Sequence, residues 1–280
     1  MFYLLIVLLQ MKLIRRINDL NKAIKSKNEL GFVPTMGGLH KGHESLIKIS
    51  KKKCKFTIVS IFINPKQFNN KNDFRKYPRD LNKDIIILKK LKVDFVYLPS
   101  VNEIYKDHTF SKFKLRKSQQ ILCAKHRKGH FEGVLDIMNR LTKTILPKYI
   151  FMGEKDFQQL FLVKNFIENK FNTKVIGCKT IRNKNKLALS SRNFLFKQNE
   201  LSDVEKISKN FLTLKKKIKY TKNINQFLQK TKKDFERFFN IKIEYLENRK
   251  TNNLSISNKY NGSKIFLAYY YKGVRLIDNF

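Results

Sequence analysis

Two histidines, His40 and His43, lie three residues apart directly after a pair of glycines, Gly37 and Gly38. The whole stretch reads PTMGGLHKGH from Pro34 to His43, and the apolar run Leu30-Gly31-Phe32-Val33 precedes it. Glycine lets a backbone turn sharply and approach a ligand closely. A helix that begins just after such a turn offers free N–H groups and the positive end of its dipole, which suits a phosphate. Imidazoles at that helix start can donate hydrogen bonds to charge that builds in a transition state. Two ordinary turn histidines are the competing reading. With two of the chain's five histidines on one glycine turn, the phosphate site is favoured.

Other residues could join the same chemistry. Lys155, in Gly153-Glu154-Lys155-Asp156, falls in a strand-to-helix turn where a point cation could stabilise phosphate charge. Asp156 beside it could cap the helix or touch a nucleotide or magnesium, and both readings stay open. Ser190, Ser191 and Arg192 offer hydroxyl and guanidinium donors. Gln67 follows a strand end, and its amide supplies donors and an acceptor, which fits an acid bearing hydroxyls. A surface glutamine is the plainer alternative.

The elements that must position these residues can be read from hydrophobic periodicity. A helix is predicted over Met11–Lys27, then a strand at Leu30–Thr35 that breaks at Pro34, then a helix bearing Leu46, Ile47 and Ile49. The continuous apolar run Phe56–Ile63 has the character of a parallel strand buried on both faces. A helix from Asp80 to Leu91, with Leu81, Ile85 and Leu88 on one face, leads to a strand at Val93–Pro99. Gly133–Ile145 reads as helix, Tyr149–Met152 as strand and Asp156–Asn169 as helix. This alternation predicts an α/β fold, a Rossmann-like doubly wound parallel sheet, with ligands in the crevice beyond the carboxyl ends of its strands. Past residue 183 the texture changes to lysine-rich helices, Val204–Lys219 and Ile224–Phe239, and short strands at 243–246 and 265–271. A domain boundary is placed there: residues 1–10 as an extension, 11–182 as the nucleotide-binding domain, and 183–280 as a smaller C-terminal α+β lid.

Bulk composition bounds the rest. The chain of 280 residues is 42% apolar and 12% aromatic, enough for a packed core. The formal charge of +38 would suggest a nucleic-acid partner. The basic residues, however, are spread along the whole chain with abundant Asn, Ile and Phe, the signature of AT-rich codons, and no aromatic–basic stripe is present. No nucleic-acid or membrane partner is therefore expected. Cys54, Cys123 and Cys178 show no metal-binding or disulfide spacing and are expected as reduced, buried thiols in a cytoplasmic protein. The apolar run Phe2–Leu9 is too short to span a bilayer as a helix, no basic residue precedes it, and Met11 could be the start.

The stretch Pro34–His43 resembles the HxGH signature of the nucleotidyltransferase superfamily, and in full it is similar to the pantothenate synthetase family. Further segments resemble that family in order along the chain. They are Asn64–Phe68 (NPKQF), Asp73–Arg79 (DFRKYPR), Gly129–Val134 (GHFEGV), Gly153–Leu160 (GEKDFQQL) and Leu187–Asn193 (LALSSRN), followed by Tyr245–Glu247 and Arg275–Asn279. Three positions depart from the usual pattern: Lys186 for a glycine, Glu44 for an apolar residue and Lys148 for an aspartate.

The resemblance implies ATP-dependent joining of pantoate and β-alanine through a pantoyl adenylate, with Mg2+ accompanying ATP, in a homodimer. It implies that ATP lies along Met36, Gly37, Gly38, Leu39, His40, Lys41, Gly42 and His43, then Gly153, Glu154, Lys155 and Asp156, with Ile181, Leu189, Ser190, Ser191 and Arg192. Pantoate and β-alanine would meet Asn64, Gln67, Arg127 and Gln159. His40, His43 and Lys155 would serve the developing phosphoryl charge. A cytidylyl or pantetheine-phosphate adenylyl enzyme would share HxGH but lack the segments around Gln67 and Gln159.

Overall fold

The computed structural model describes residues 11–106 and 113–280. The apolar run Phe2–Leu9 and the proposed extension lie outside the described residues. In chain order, β1 (Lys12–Ile14) and α1 (Ile17–Ile24) lead into β2 (Leu30–Thr35), α2 (Lys41–Lys53) and β3 (Phe56–Ile61). Helices α3 (Lys71–Lys76) and α4 (Leu81–Lys90), β4 (Phe95–Tyr97) and the short helices α5 (Val101–Ile104) and α6 (Leu122–His126) follow. Then come α7 (His130–Ile145), β5 (Tyr149–Gly153), α8 (Phe157–Lys170) and β6 (Lys174–Cys178). The chain closes with α9 (Gln198–Ile218), α10 (Ile224–Phe239), β7 (Lys242–Lys250), β8 (Ser263–Tyr271) and β9 (Val274–Asn279).

Six strands form one parallel sheet in the order β1-β4-β3-β2-β5-β6. Strand order reverses between β2 and β5, so the carboxyl ends of these two neighbours flank the switch point where doubly wound sheets bind ligands. The registers show how the crevice opens. β2 pairs with β3 through Thr35, but with β5 only at Gly31 and Phe32. Pro34 therefore does not break β2, contrary to the sequence expectation. Lys148 donates its backbone N–H to Leu30 O, so the even-numbered residues of β2 turn their backbone groups toward β5. The missing N–H of Pro34 thus faces the side where pairing has already ended, and no ladder bond is lost.

Several other expectations are corrected. Met11–Lys27 is not one helix. Lys12–Ile14 pairs in parallel with Phe95–Tyr97 as the sheet edge, and helix begins only at Ile17, whose N–H donates to Glu103 Oε1 at 2.7 Å. Edge pairing and the burial of Ile14 outweigh the local helical pattern. In α4 the inward residues are Asp84 and Leu88, while Leu81 is exposed. Strands β3 and β4 are shorter than the apolar runs that announced them. Strand β6 was not expected, because Lys174 and Gly177 interrupt its apolar character.

The second sheet, β7-β8-β9, is antiparallel. Helices α9 and α10 cover it through Val204, Ile207, Phe211 and Leu228 against Ile243, Leu267 and Tyr269. Full burial of such side chains stabilises by about 1.5–3 kcal/mol each. Cys54, Cys123 and Cys178 are free and buried, as expected.

Candidate active site

The end of β2 feeds a turn in which Gly37 and Gly38 adopt left-handed backbone, φ +77° and +62°. Such successive angles are readily available to glycine alone. A buried carboxylate from α4 holds the turn: Gly38 N–H donates to Asp84 Oδ2 at 2.9 Å and Leu39 N–H to Asp84 Oδ1 at 2.7 Å. Asp84 was not anticipated from sequence, because α4 reads there as an ordinary apolar face. From the other side, Ser191 Oγ donates to Gly38 O at 2.9 Å.

His40 caps α2, and its Nδ1 accepts the Gly42 N–H at 3.0 Å. That bond places any proton of the neutral ring on Nε2. A side chain on Gly42 would put its Cβ 2.7 Å from the His40 ring, so glycine is required where the imidazole folds back over the helix start. His43 stacks beside it with ring centroids 4.2 Å apart, and its buried Nδ1 finds no hydrogen-bond partner among the described residues. Burial above all, then the neighbouring His43 and Lys155, pushes His40 down to about 3. Burial followed by Lys155 pushes His43 down to about 4. Both rings are therefore neutral near pH 7, each with one N–H to offer.

Lys155 and Asp156 enter the same cleft from the 3₁₀ turn Glu154–Asp156 after β5, with Lys155 Nζ 3.6 Å from Asp156 Oδ1. The C-terminal sheet fixes that turn. Asn279 Nδ2 donates to Glu154 O at 2.7 Å and to Lys155 O at 2.9 Å, and Lys264 pairs with Glu154 at 3.0 Å.

Gln67 and Gln159 both line the cleft. Gln67 is buried, with Nε2 2.6 Å from Met36 Sδ. Asn64 is buried away from the cleft wall. Its amide is spent on Gly133 O at 3.0 Å, on Lys66 N–H at 3.2 Å and on Tyr105 OH at 2.8 Å, which fixes the turn that presents Gln67. The neighbouring Gln158 turns the other way, to Ile121 O at 2.8 Å. His130 Nδ1–H donates to Gln67 O at 2.7 Å, so its Nε2 accepts from Arg127 Nη1 at 2.9 Å. Arg192 meets Asp73 with two contacts, 2.7 and 3.0 Å, and Arg127 lies 4.0 Å from the same carboxylate.

The cleft encloses about 250 Å³. It brings together Met36, His40, Gly42, His43, Gln67, Arg127, Gly153, Lys155, Asp156 and Gln159, with Ile181, Leu189, Ser190, Ser191 and Arg192 on the C-terminal side. Gly37, Gly38 and Leu39 shape the turn rather than line the cleft. Lys41 is exposed, and Glu154 is taken by Lys264. Val134, Ile137, Met138 and Leu141 of α7 supply an apolar wall. Neutral donors, a cation, amides and an apolar wall gathered in one cleft can hold a phosphate beside a small branched hydroxy acid.

The chain is similar to known proteins over nearly its whole length. The family model for pantoate-beta-alanine ligase matches residues 10–280. The chain is 40% identical over 262 residues to the pantothenate synthetase of Flavobacterium psychrophilum, covering 91% of this chain and 93% of that protein. It is 38% identical over 278 residues to that of Azobacteroides pseudotrichonymphae, covering 96% and 99%. The fold superposes on the Francisella tularensis pantoate-beta-alanine ligase complexed with beta-gamma ATP and beta-alanine, with TM-score 0.83, 36% identity and coverage of 96% and 97%. It also superposes on the pantothenate synthetase of Thermus thermophilus, with TM-score 0.87, 28% identity and coverage of 96% and 99%. On a match that runs nearly end to end, the chain belongs to the pantoate–β-alanine ligase family.

Proposed function

We propose that this chain ligates pantoate to β-alanine in two half-reactions through a pantoyl adenylate. Family membership makes it an ATP-dependent pantoate–β-alanine ligase. What supports the two-step reading is the meeting of His40, His43 and Lys155 with Gln67 and Gln159 in one cleft at the β2/β5 switch point. Pantoate, held by Gln67 and Gln159 with its methyl groups against α7, directs its carboxylate at the α-phosphorus of Mg-ATP. Pyrophosphate leaves, and the N–H groups of His40 and His43 with the Lys155 ammonium stabilise the phosphoryl oxygens as charge shifts. The amine of β-alanine then attacks the activated carbonyl, loses a proton and expels AMP. Such chemistry needs positioning and charge stabilisation rather than a protein nucleophile.

ATP in this reading runs along the Met36–His43 turn, the 153–156 turn, Ile181 and the Leu189–Arg192 segment, and the magnesium ion arrives on its phosphates as part of the substrate. Asn64 acts through Gln67 rather than by touching substrate. Residues 183–280 form a lid unit, joined to the glycine turn through Ser191. A homodimer in the cytoplasm is the state proposed for the enzyme. The three free buried thiols support a reducing compartment, and among the described residues no helix is long and apolar enough to cross a membrane.

The test is pyrophosphate release with each substrate omitted in turn. Release should require ATP and pantoate but not β-alanine, and AMP release should require all three. Pyrophosphate that appears only when β-alanine is present would overturn the two-step order.

A further inference from the structure

Three arginines, Arg127, Arg192 and Arg275, line the cleft. They face only two carboxylates among the described residues. Asp73 takes Arg192 and sits at the edge of reach of Arg127. Glu244 accepts from Arg275 Nε at 2.9 Å and from Nη2 at 2.6 Å, and Nη2 also lies 3.4 Å from Cys123 Sγ. The other terminal nitrogen, Arg275 Nη1, is buried and finds no partner among the described residues, although the side chain is 9% exposed and borders the cleft. A buried, unpaired guanidinium N–H is costly to leave that way, and a ligand acceptor removes the cost.

The field around Arg127 and His130 is positive. Burial first, and then the adjacent Arg192 and Arg275, push Arg127 down to about 10. Burial and then Arg127 hold His130 well below the usual histidine range. An anion belongs here. In the reaction proposed above the ATP phosphates are met by His40, His43, Lys155 and the Leu189–Arg192 segment, and the pantoate carboxylate is consumed at phosphorus. The remaining substrate charge is the carboxylate of β-alanine.

We infer that Arg275 Nη1, with Arg127 beside it, receives the carboxylate of β-alanine. The hydrogen-bonded chain from Arg127 through His130 to the backbone carbonyl of Gln67 ties this subsite to the residue whose side chain is assigned to pantoate. The amine at the other end of the short amino acid then points at the pantoyl carbonyl. A single oxygen of Glu244, Oε2, holds the guanidinium by two of its three nitrogens, leaving the third for the substrate. Tyr270 OH holds the other oxygen of Glu244 at 3.0 Å. Arg275 thereby selects an amine that carries an acid.

This inference rests on the two-step reading, and the experiment separates the two. Wild-type enzyme is first shown to release pyrophosphate with ATP and pantoate alone; failure there removes the reaction scheme. The ratio of kcat/KM for β-alanine to that for its neutral analogue 3-aminopropanamide is then measured in wild type, in Arg275→Lys, and in the double variant Arg275→Gln with Glu244→Gln, which removes the buried charge pair together. Because the ratio is taken within one protein, losses of fold or of adenylation cancel from it. Wild type should favour β-alanine by ~10²-fold or more. Both variants should lower that preference by about tenfold or more, the double variant most. A preference within about twofold of wild type in Arg275→Lys overturns the inference. So does a rise in the KM for ATP with the preference intact, since the anion would then be a phosphate.

Discussion

Asp84 Oδ1 accepts the backbone N–H of Leu39 at 2.7 Å, which ties the first turn of α4 to the glycine turn that leads into both cleft histidines. The second oxygen takes the Gly38 N–H at 2.9 Å. A buried carboxylate answers two donors, and an amide of the same shape answers only one, because its NH₂ then faces an N–H. Asp84→Asn should therefore cost about 1–3 kcal/mol of stability. It should also slow pantoyl adenylate formation by ~10–10²-fold, since the imidazoles would no longer be held in place. Urea unfolding and single-turnover assays read the two effects. Normal adenylate formation in Asp84→Asn would show that the turn keeps its shape without this anchor.

The depressed histidines make a prediction about pH. His40 is held near 3 and His43 near 4, against about 6.5 in an unfolded chain. Between pH 6.5 and 4 the unfolded state binds more protons at these positions, so stability falls as pH falls through that window. Each histidine contributes a slope of at most about 1.4 kcal/mol per pH unit. Unfolding free energy measured from pH 7 to 4.5 should drop less in His43→Gln than in wild type. Equal slopes in the two proteins would mean that His43 titrates normally. The adenylation rate, by the same logic, should show no histidine titration near pH 6.5.

Much of this arrangement was legible because it rests on local patterns. The apolar runs of β2, β3 and β5 and the glycines before His40 predict a buried parallel sheet with a phosphate turn at its carboxyl edge. Edge elements were less legible: β1 has three residues inside a convincing helical pattern, and β6 carries Lys174 and Gly177. The contacts that tune the site could not be read at all. Asp73 and Arg192 are 119 positions apart, Lys155 and Asn279 124 apart, and nothing local in Leu81–Lys90 marks Asp84 as the residue that turns inward. Arg275 was visible only as part of a closing strand.

Lys186 adopts φ +72°, in the left-handed region, where the sequence pattern of the family led to the expectation of a glycine. A residue with a Cβ is strained there by roughly 1–2 kcal/mol, while glycine adds unfolded-state entropy worth about 0.4–1 kcal/mol. Its backbone bonds, Lys186 N–H to Asn183 O at 3.0 Å and Arg182 Nη1 to Lys186 O at 3.1 Å, survive substitution. Lys186→Gly should thus stabilise the protein by up to about 1 kcal/mol. Denaturant midpoints compare the two, and a lower midpoint for the glycine variant would mean that the turn carries no strain.

Gln67 and Gln159 should govern pantoate rather than ATP. Both amides reach the cleft, Gln67 from the turn that Asn64 fixes and Gln159 from the first turn of α8, while Gln158 is turned away toward Ile121. A site built to bond a hydroxyl and a carboxylate loses heavily when one amide is removed, because substrate groups are left unpaired in a pocket closed by α7. Gln67→Ala and Gln159→Ala should each raise the apparent KM for pantoate by ~10-fold or more and change that for ATP far less. Lys155→Ala should behave differently: in the proposed reaction its ammonium meets charge that develops at phosphorus, so the adenylation rate itself should fall, by ~10²–10³-fold for a lost donor of this kind. Steady-state kinetics with pantoate and ATP varied separately, joined to single-turnover adenylation, distinguish the two classes. Glutamine variants that weaken ATP and leave pantoate untouched would move the pantoate pocket elsewhere in the cleft, away from the amides and toward the C-terminal side.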